Sequence, residues 1–280
     1  MFRGLLKVVA LAIPVFFLAG LFLMAVMRWR ETAQQTRCRE HMRQLTLMGL
    51  WHFGDDASGI HRQPGRGNGV SPSPAERMNQ GVHTFPAGTV VNPSLLPERR
   101  LSWQVAILPY LGQDEAYRRF DLSAAWDADI NRDAIRIRLP VFSCPSTYRR
   151  PAENECQSGS YIGSGGLGID GPTLPPAHPR AGFFRYDEGT KSDAFQRGLS
   201  YTVAILETER ERGPWAAGAR PTLRGLDVDE TPYFGPGRQF GGHPAGGHAA
   251  FADGSVRFQF TSDSAKILQR LIPLADAVEP

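Results

Sequence analysis

The chain has 280 residues, 41% hydrophobic, 10% aromatic and 21% charged, with 31 Lys+Arg against 28 Asp+Glu. That composition excludes a disordered or fibrous protein, and a net charge of +3 gives no footing for a nucleic-acid partner. Thirty glycines and 22 prolines predict many turns, while three cysteines are too few for a disulfide scaffold.

From Val8 to Met27 the chain reads VVALAIPVFFLAGLFLMAVM, without a charge. At about 1.5 Å per residue this run spans a hydrocarbon core of roughly 30 Å. It is longer than the apolar part of a signal peptide and ends at Arg28-Trp29-Arg30, an interface-type anchor. A retained single-pass membrane helix with the lipid bilayer as partner is the expectation. Basic residues flank it on both sides (Arg3 and Lys7 before, Arg28, Arg30, Arg37, Arg39 and Arg43 after). Counted literally they place the following domain in the cytoplasm, but long domains translocate largely regardless of charge. Charge alone therefore leaves the side open.

Residues 31–53 keep a helical pattern. Cys38, Met42, Leu45 and Met48 recur at spacings of four, three and three, a stripe on one face. A single helix over residues 5–53 would be about 70 Å long, half in lipid and half against a globular domain; an anchor followed by a separate amphipathic helix is the alternative. The chain thus divides into an anchor (1–30), an amphipathic continuation (31–53) and a β-rich domain (54–280).

Residues 54–100 read as loop by composition. Trp103–Leu111 is a short apolar block, Asn131–Leu139 a short helix stopped by Pro140, and Val141–Pro145 a strand closing in a turn. Residues 157–198 and 213–242 are rich in glycine and loop-like. Between them Tyr201–Glu207, YTVAILE, is the strongest strand signal, and Ser262–Ile272 a terminal helix before Pro273. The fold class is α+β.

HAAFADGSVRFQF (His248–Phe260) predicts a hairpin around Asp253-Gly254 with a two-residue type I′ turn. Pairing outward joins Ala252 to Ser255, Phe251 to Val256 and Ala249 to Phe258, and puts Ala249, Phe251, Val256 and Phe258 on one apolar face. His243, followed by nine residues and then Asp253-Gly254, resembles the C-terminal motif of a bacterial family of domains of unknown function described as prepilin-type and processing-associated. Cys38–Phe53, Leu101–Arg132, Phe142–Ser146 and Gly198–Glu207 are similar to further blocks of that family, in the same order along the chain.

The resemblance implies a pilin-like build, a long N-terminal helix packed on an antiparallel sheet, with no established enzymatic activity and no cofactor. It implies a structural, secretion-associated or cell-surface role in the bacterial inner membrane, with partners of its own kind through the N-terminal helix. A membrane-tethered solute- or polysaccharide-binding module is the alternative, with Trp215, Tyr233 and Phe234 as stacking residues. Pilin-like members carry a Glu shortly after their cleavage site, whereas no Glu lies between Met1 and Arg30 here. A permanent anchor follows from that departure.

No catalytic set is expected, because no nucleophile elbow or phosphate loop surrounds any serine or glycine cluster. His243, Asp253 and Gly254 read as structural motif residues, His243 donating to the loop or hairpin backbone. No metal site is expected, since Asp253 at the turn is about 16 Å along the strand from His248. Glu207 reads as a strand-end carboxylate, solvated or paired with an Arg. Cys144 and Cys156 are spaced to close a 13-residue loop worth about 3 kcal/mol in an oxidising compartment, with Cys38 packing as a small apolar residue.

Overall fold

A computed structural model describes residues 2–51, 53, 81–148, 152 and 155–275, with side chains from Phe16 onward. The predicted loop over residues 54–80 lies outside them. Helix α1 (Phe2–Gln44) runs without a break into a π-helical turn, Leu45–Leu50. A single helix is therefore present rather than two. The π turn accommodates an extra residue and rotates the helix face. Cys38, Met42 and Leu45 are buried along the predicted stripe, but Met48 is turned out to solvent while Gly49, Leu50 and Trp51 point inward. Gly49 is needed there: a Cβ would lie 2.6 Å from Ile107 Cδ1.

Five strands form one sheet: β1 (Tyr161–Leu167), β2 (Val203–Glu207), β3 (Leu223–Leu226), β4 (Gly246–Phe251) and β5 (Val256–Phe260), in the order β3-β1-β2-β4-β5. The β1–β2, β2–β4 and β4–β5 pairs are antiparallel, whereas β1 and β3 run parallel. The sheet is thus mixed, not wholly antiparallel as expected. β2, the strand legible from its apolar β-branched run, lies at the centre and is buried throughout. β1 and β3 fall in the segments read as loop. Gly163 in β1 makes room for an aromatic ring, since a Cβ there would lie 2.6 Å from Phe184 Cδ2. Packing, not strand propensity, places this segment in the sheet.

Alternate residues of the sheet face two cores. Tyr161, Ile205 and Ala250 face α1, packing with Cys38, Met42, Leu45, Trp51 and Trp103. Ile162, Leu206, Ala249 and Phe251 face the other way, under Tyr233, Phe234, Phe240 and the C-terminal helix. That helix is α4 (Ala265–Leu271), close to the expected span and starting after Ser264. Two short helices, α2 (Trp103–Ala106) and α3 (Asp114–Arg118), come from the apolar block and its continuation. Two local expectations are corrected. Residues 141–145 form no strand but begin inside a 3-10 turn at Pro140–Phe142, and the helix over 131–139 is reduced to 3-10 turns at Asp129–Asn131 and Ala134–Arg136.

The hairpin forms, with its register moved by one. Ala250 pairs with Val256, Ala249 with Arg257 and His248 with Phe258. Gly254 alone takes positive φ at the turn (+83°), its N–H donating to Phe251 O, and Phe251 N–H donates to Ser255 O. This is a three-residue connection closed by a left-handed glycine bulge, so the two-residue I′ turn is corrected. A one-residue shift exchanges the faces of β5 relative to β4. His248 now lies across from Phe258, with ring centroids 5.1 Å apart, and Arg257 sits 4.0 Å over the Phe251 ring.

Candidate functional site

The pairing of β2 with β4 and the buried face of α1 bring the chain's unusual residues to one buried place between α1 and the sheet. Glu207 ends β2, paired with Tyr161 on one side and facing His248 of β4 on the other. It is fully buried. Its Oε2 accepts from both the backbone N–H and Nδ1 of His248, each at 2.9 Å. Its Oε1 faces His243 Nε2 at 3.4 Å without hydrogen-bond geometry, and no hydrogen bond satisfies it. Gly242 permits this placement, because a Cβ there would meet Oε1 at 2.6 Å. Glu207 is thus neither solvated nor paired with an Arg, contrary to expectation.

His243 joins the helix to this pair. Its Nδ1 lies 2.7 Å from Glu31 Oε1 on α1 and 3.1 Å from Ser146 Oγ; its Nε2 also approaches Cys144 Sγ at 3.7 Å. The ring is buried and makes its contacts with side chains, which corrects the expectation of a donor to loop backbone. Burial alone would push the Glu207 carboxyl up, but the imidazoles of His243 and His248 outweigh it and hold it down at about 2. Burial opposes charge on His243 too, yet Glu207 and Glu31 together raise its pKa. Nearby Tyr161 is pushed well above the ordinary phenol range by burial and by the Glu207 charge.

Cys144 is bonded to Cys38 of α1, 106 residues earlier, while Cys156 is free. The expected Cys144–Cys156 bridge is therefore corrected: Cys38, on the buried stripe of α1, faces Cys144 directly, with Cα atoms 5.2 Å apart. One ligand atom each from Cys38, Cys144, Glu207 and His243 falls within 4.8 Å of the others, all four residues buried. Sequence spacing hides this set, since its members come from a helix, a loop, a strand end and a second loop.

Asp253 and Gly254 lie elsewhere. Asp253 Oδ1 accepts from Ser255 N–H, and a Cβ on Gly254 would lie 2.2 Å from Leu47 Cδ2. Trp51 at the end of the helix donates from Nε1 to Ala252 O at 2.8 Å. His243 and Gly254 thus seat against Glu31 of α1 and Leu47 of the π turn, about 24 Å apart along the helix.

Ser146, His243 and Glu207 look like a nucleophile, base and acid in line. The Glu31 carboxylate at 2.7 Å from Nδ1 requires the ring proton there, so Ser146 has no lone pair of the imidazole to accept its proton. The residues proposed to stack on sugar are core residues: Trp215 packs flat on Phe142 at 5.1 Å, and Tyr233 and Phe234 belong to the second core. A concavity of about 270 Å³ whose lining includes none of these three aromatic residues holds Arg210, Arg220, Arg224 and Glu211. Those three arginines converge on Glu211 at 3.7, 2.8 and 4.0 Å, and Glu98, Asp227 and Glu230 in the same lining answer the remaining positive charge.

A family model described as "Protein of unknown function (DUF1559)", SBP_bac_10, matches residues 79–230. The match covers α2, α3 and β1 to β3, including Cys144 and Glu207, and ends before His243. No curated protein and no solved structure matches the chain.

Proposed function

Since the chain belongs to this DUF1559 family, whose members have no established function, we propose that it is a membrane-anchored, pilin-like protein that presents its β-domain outside the cytoplasm and acts by association, not catalysis. The observation that carries this reading is α1. It is one helix of 43 residues, about 64 Å long, with two unlike halves. Phe16, Phe17, Phe22, Met27 and Trp29 are all more than half exposed, while Cys38, Met42 and Leu45 are sealed in the domain. Contiguous exposed apolar surface of this kind needs lipid or another helix to cover it. Among the described residues no helix is long and apolar enough to cross a membrane; the apolar run begins at Val8, ahead of the first described side chain. The Cys38–Cys144 bridge supports an oxidising compartment for the domain.

The motif has a mechanical part in this reading. His243 on Glu31 and Gly254 against Leu47 hold the sheet to both ends of the packed half of α1, so a load on the anchor reaches the domain through two points and a covalent bridge. A binding module is less well supported, because its aromatic residues are buried.

Fractionation of cells making the full chain, followed by protease treatment of sealed spheroplasts, tests both statements. The expected result is a membrane-bound protein whose domain is digested from outside. A soluble full-length protein overturns the anchor, and a protected domain overturns the orientation. Intact mass from the same membranes is expected near 30.9 kDa, as no Glu is present to support pilin-type processing; a shortened chain with a methylated amino terminus would make filament assembly the leading function.

A further inference from the structure

The buried cluster carries chemistry that anchoring does not use. We propose that Cys38, Cys144, His243 and Glu207 form a redox-gated site for a divalent transition-metal ion of the zinc class, open when the Cys38–Cys144 bridge is reduced and closed when it is formed.

The donor set is of the zinc type: two thiolates, one imidazole and one carboxylate, all buried, with ligand atoms within 4.8 Å of one another. Tetrahedral bonds of ordinary length to zinc would put the nitrogen and oxygen about 3.4 Å apart and sulfur and nitrogen about 3.6 Å apart. His243 Nε2 lies 3.4 Å from Glu207 Oε1 and 3.7 Å from Cys144 Sγ. The two sulfurs must part to about 3.8 Å once they are no longer bonded.

The surroundings orient each donor. Glu31 holds Nδ1 of His243 at 2.7 Å and so aims the Nε2 lone pair inward, the carboxylate–histidine arrangement that steers metal-binding imidazoles. Two donors from His248 fix Oε2 of Glu207 and leave Oε1 directed at the cluster. Oε1 is buried without a hydrogen bond and has the His243 ring 3.4 Å away, a costly position for a carboxylate oxygen that a bound cation would relieve. A cavity of about 620 Å³, lined by Glu31, Ser146, Arg212, Gly242 and His243, opens from solvent onto the His243 side of the cluster.

The chemistry balances with a dithiol as reductant. Its two electrons and two protons pass to the Cys38–Cys144 bridge, giving two thiols and the reductant's own cyclic disulfide. The metal ion then takes the two sulfurs as thiolates and their two protons go to solvent. Exchange of the pair with a small-molecule disulfide, which takes up the two electrons and leaves as two thiols, re-forms the Cys38–Cys144 bond, removes both thiolate ligands at once and expels the ion.

Cobalt(II) added to the full chain in detergent, before and after dithiol reduction and removal of the reductant, tests this. Reduced protein is expected to bind one cobalt per chain, with the near-ultraviolet thiolate-to-cobalt band and the strong visible bands of a tetrahedral site, all bleached by one equivalent of zinc. Oxidised protein is expected to show none of them. Cys156→Ser should retain the bands, and the double variant Cys38→Ser/Cys144→Ser should lose the thiolate band. Absence of the band in the reduced wild type, its presence in the oxidised protein, or its loss in Cys156→Ser would each overturn the site. So would a reduced chain that loses its circular-dichroism signal and does not regain it with zinc.

Discussion

Leu206 and Glu207 are successive residues of β2, and they look into different worlds. Leu206 enters an apolar core of Ile162, Phe251, Leu268 and Ile272. Glu207 enters a helix-side layer where a carboxylate, two imidazoles and a disulfide are packed together under α1. The first face is stabilised by apolar area removed from water, and similar side chains would serve it about as well. The second is stabilised only while every charge keeps its partner, and hydrophobic replacements of such sets are often neutral or better. A face that costs so much to keep paired points to a use beyond stability, in line with the metal site proposed above.

The largest expected effect belongs to the bridge. With Cys38 and Cys144 separated by 106 positions, reduction in the presence of a chelator should lower unfolding free energy by about 4–5 kcal/mol, read as a shift in urea midpoint. Cys156→Ser should leave that midpoint unchanged. A midpoint indifferent to reductant would mean that the helix and the domain are not covalently joined.

Glu207→Ala should cost about 3–5 kcal/mol, by stranding the two histidines. Leu206→Ala should cost about 2–5 kcal/mol, by opening a cavity. Similar sizes hide different causes, and a double-mutant cycle separates them. His243→Ala should couple to Glu207→Ala by about 1–3 kcal/mol, and combine with Leu206→Ala additively to within about 0.5 kcal/mol. Additivity in both pairs would remove the distinction between the two faces.

Gly254→Ala places a side chain at φ +83° and against Leu47, and should cost about 1–3 kcal/mol. Adding Leu47→Ala should recover the steric part and leave the backbone part. Full recovery would mean the left-handed conformation is not what selects glycine there.

The smallest effect is electrostatic. Burial pushes the Asp253 carboxyl up, but hydrogen bonds from Ser255 and Ser200 outweigh it and lower its pKa. A depressed carboxyl stabilises the fold above its unfolded pKa and loses that contribution as pH falls through the folded value. Asp253→Asn should therefore cost about 0.5 kcal/mol near neutral pH, and the difference from wild type should vanish in acid. A penalty constant with pH would assign Asp253 a purely geometric part.

The sequence was a good guide wherever one residue's neighbours decide its state. The Cys38–Met42–Leu45 stripe, the β-branched run ending at Glu207, the Pro273 stop and the hairpin at Asp253-Gly254 are all local patterns, and each element is present. It was a poor guide where distant atoms decide. The glycine-rich residues of β1 form a strand because Phe184 fills the space that side chains would take, and no local pattern announces that. Glu207 looked like a strand-end surface carboxylate, because nothing in YTVAILE shows that His243 and His248 will enclose it.

The chain's periodicity and composition determined by themselves an α+β protein with one long N-terminal helix, a central apolar strand and a C-terminal hairpin. Those properties depend on residues a few positions apart. Two geometric phases were left to the tertiary structure: the π turn that rotates the end of α1, and the one-residue register of β4 on β5. The packing of α1 on the sheet brings Cys38 to Cys144 and the register of β2 on β4 brings His248 beside Glu207, and both are set by which side chains fit between helix and sheet, over separations of 106 and 41 residues.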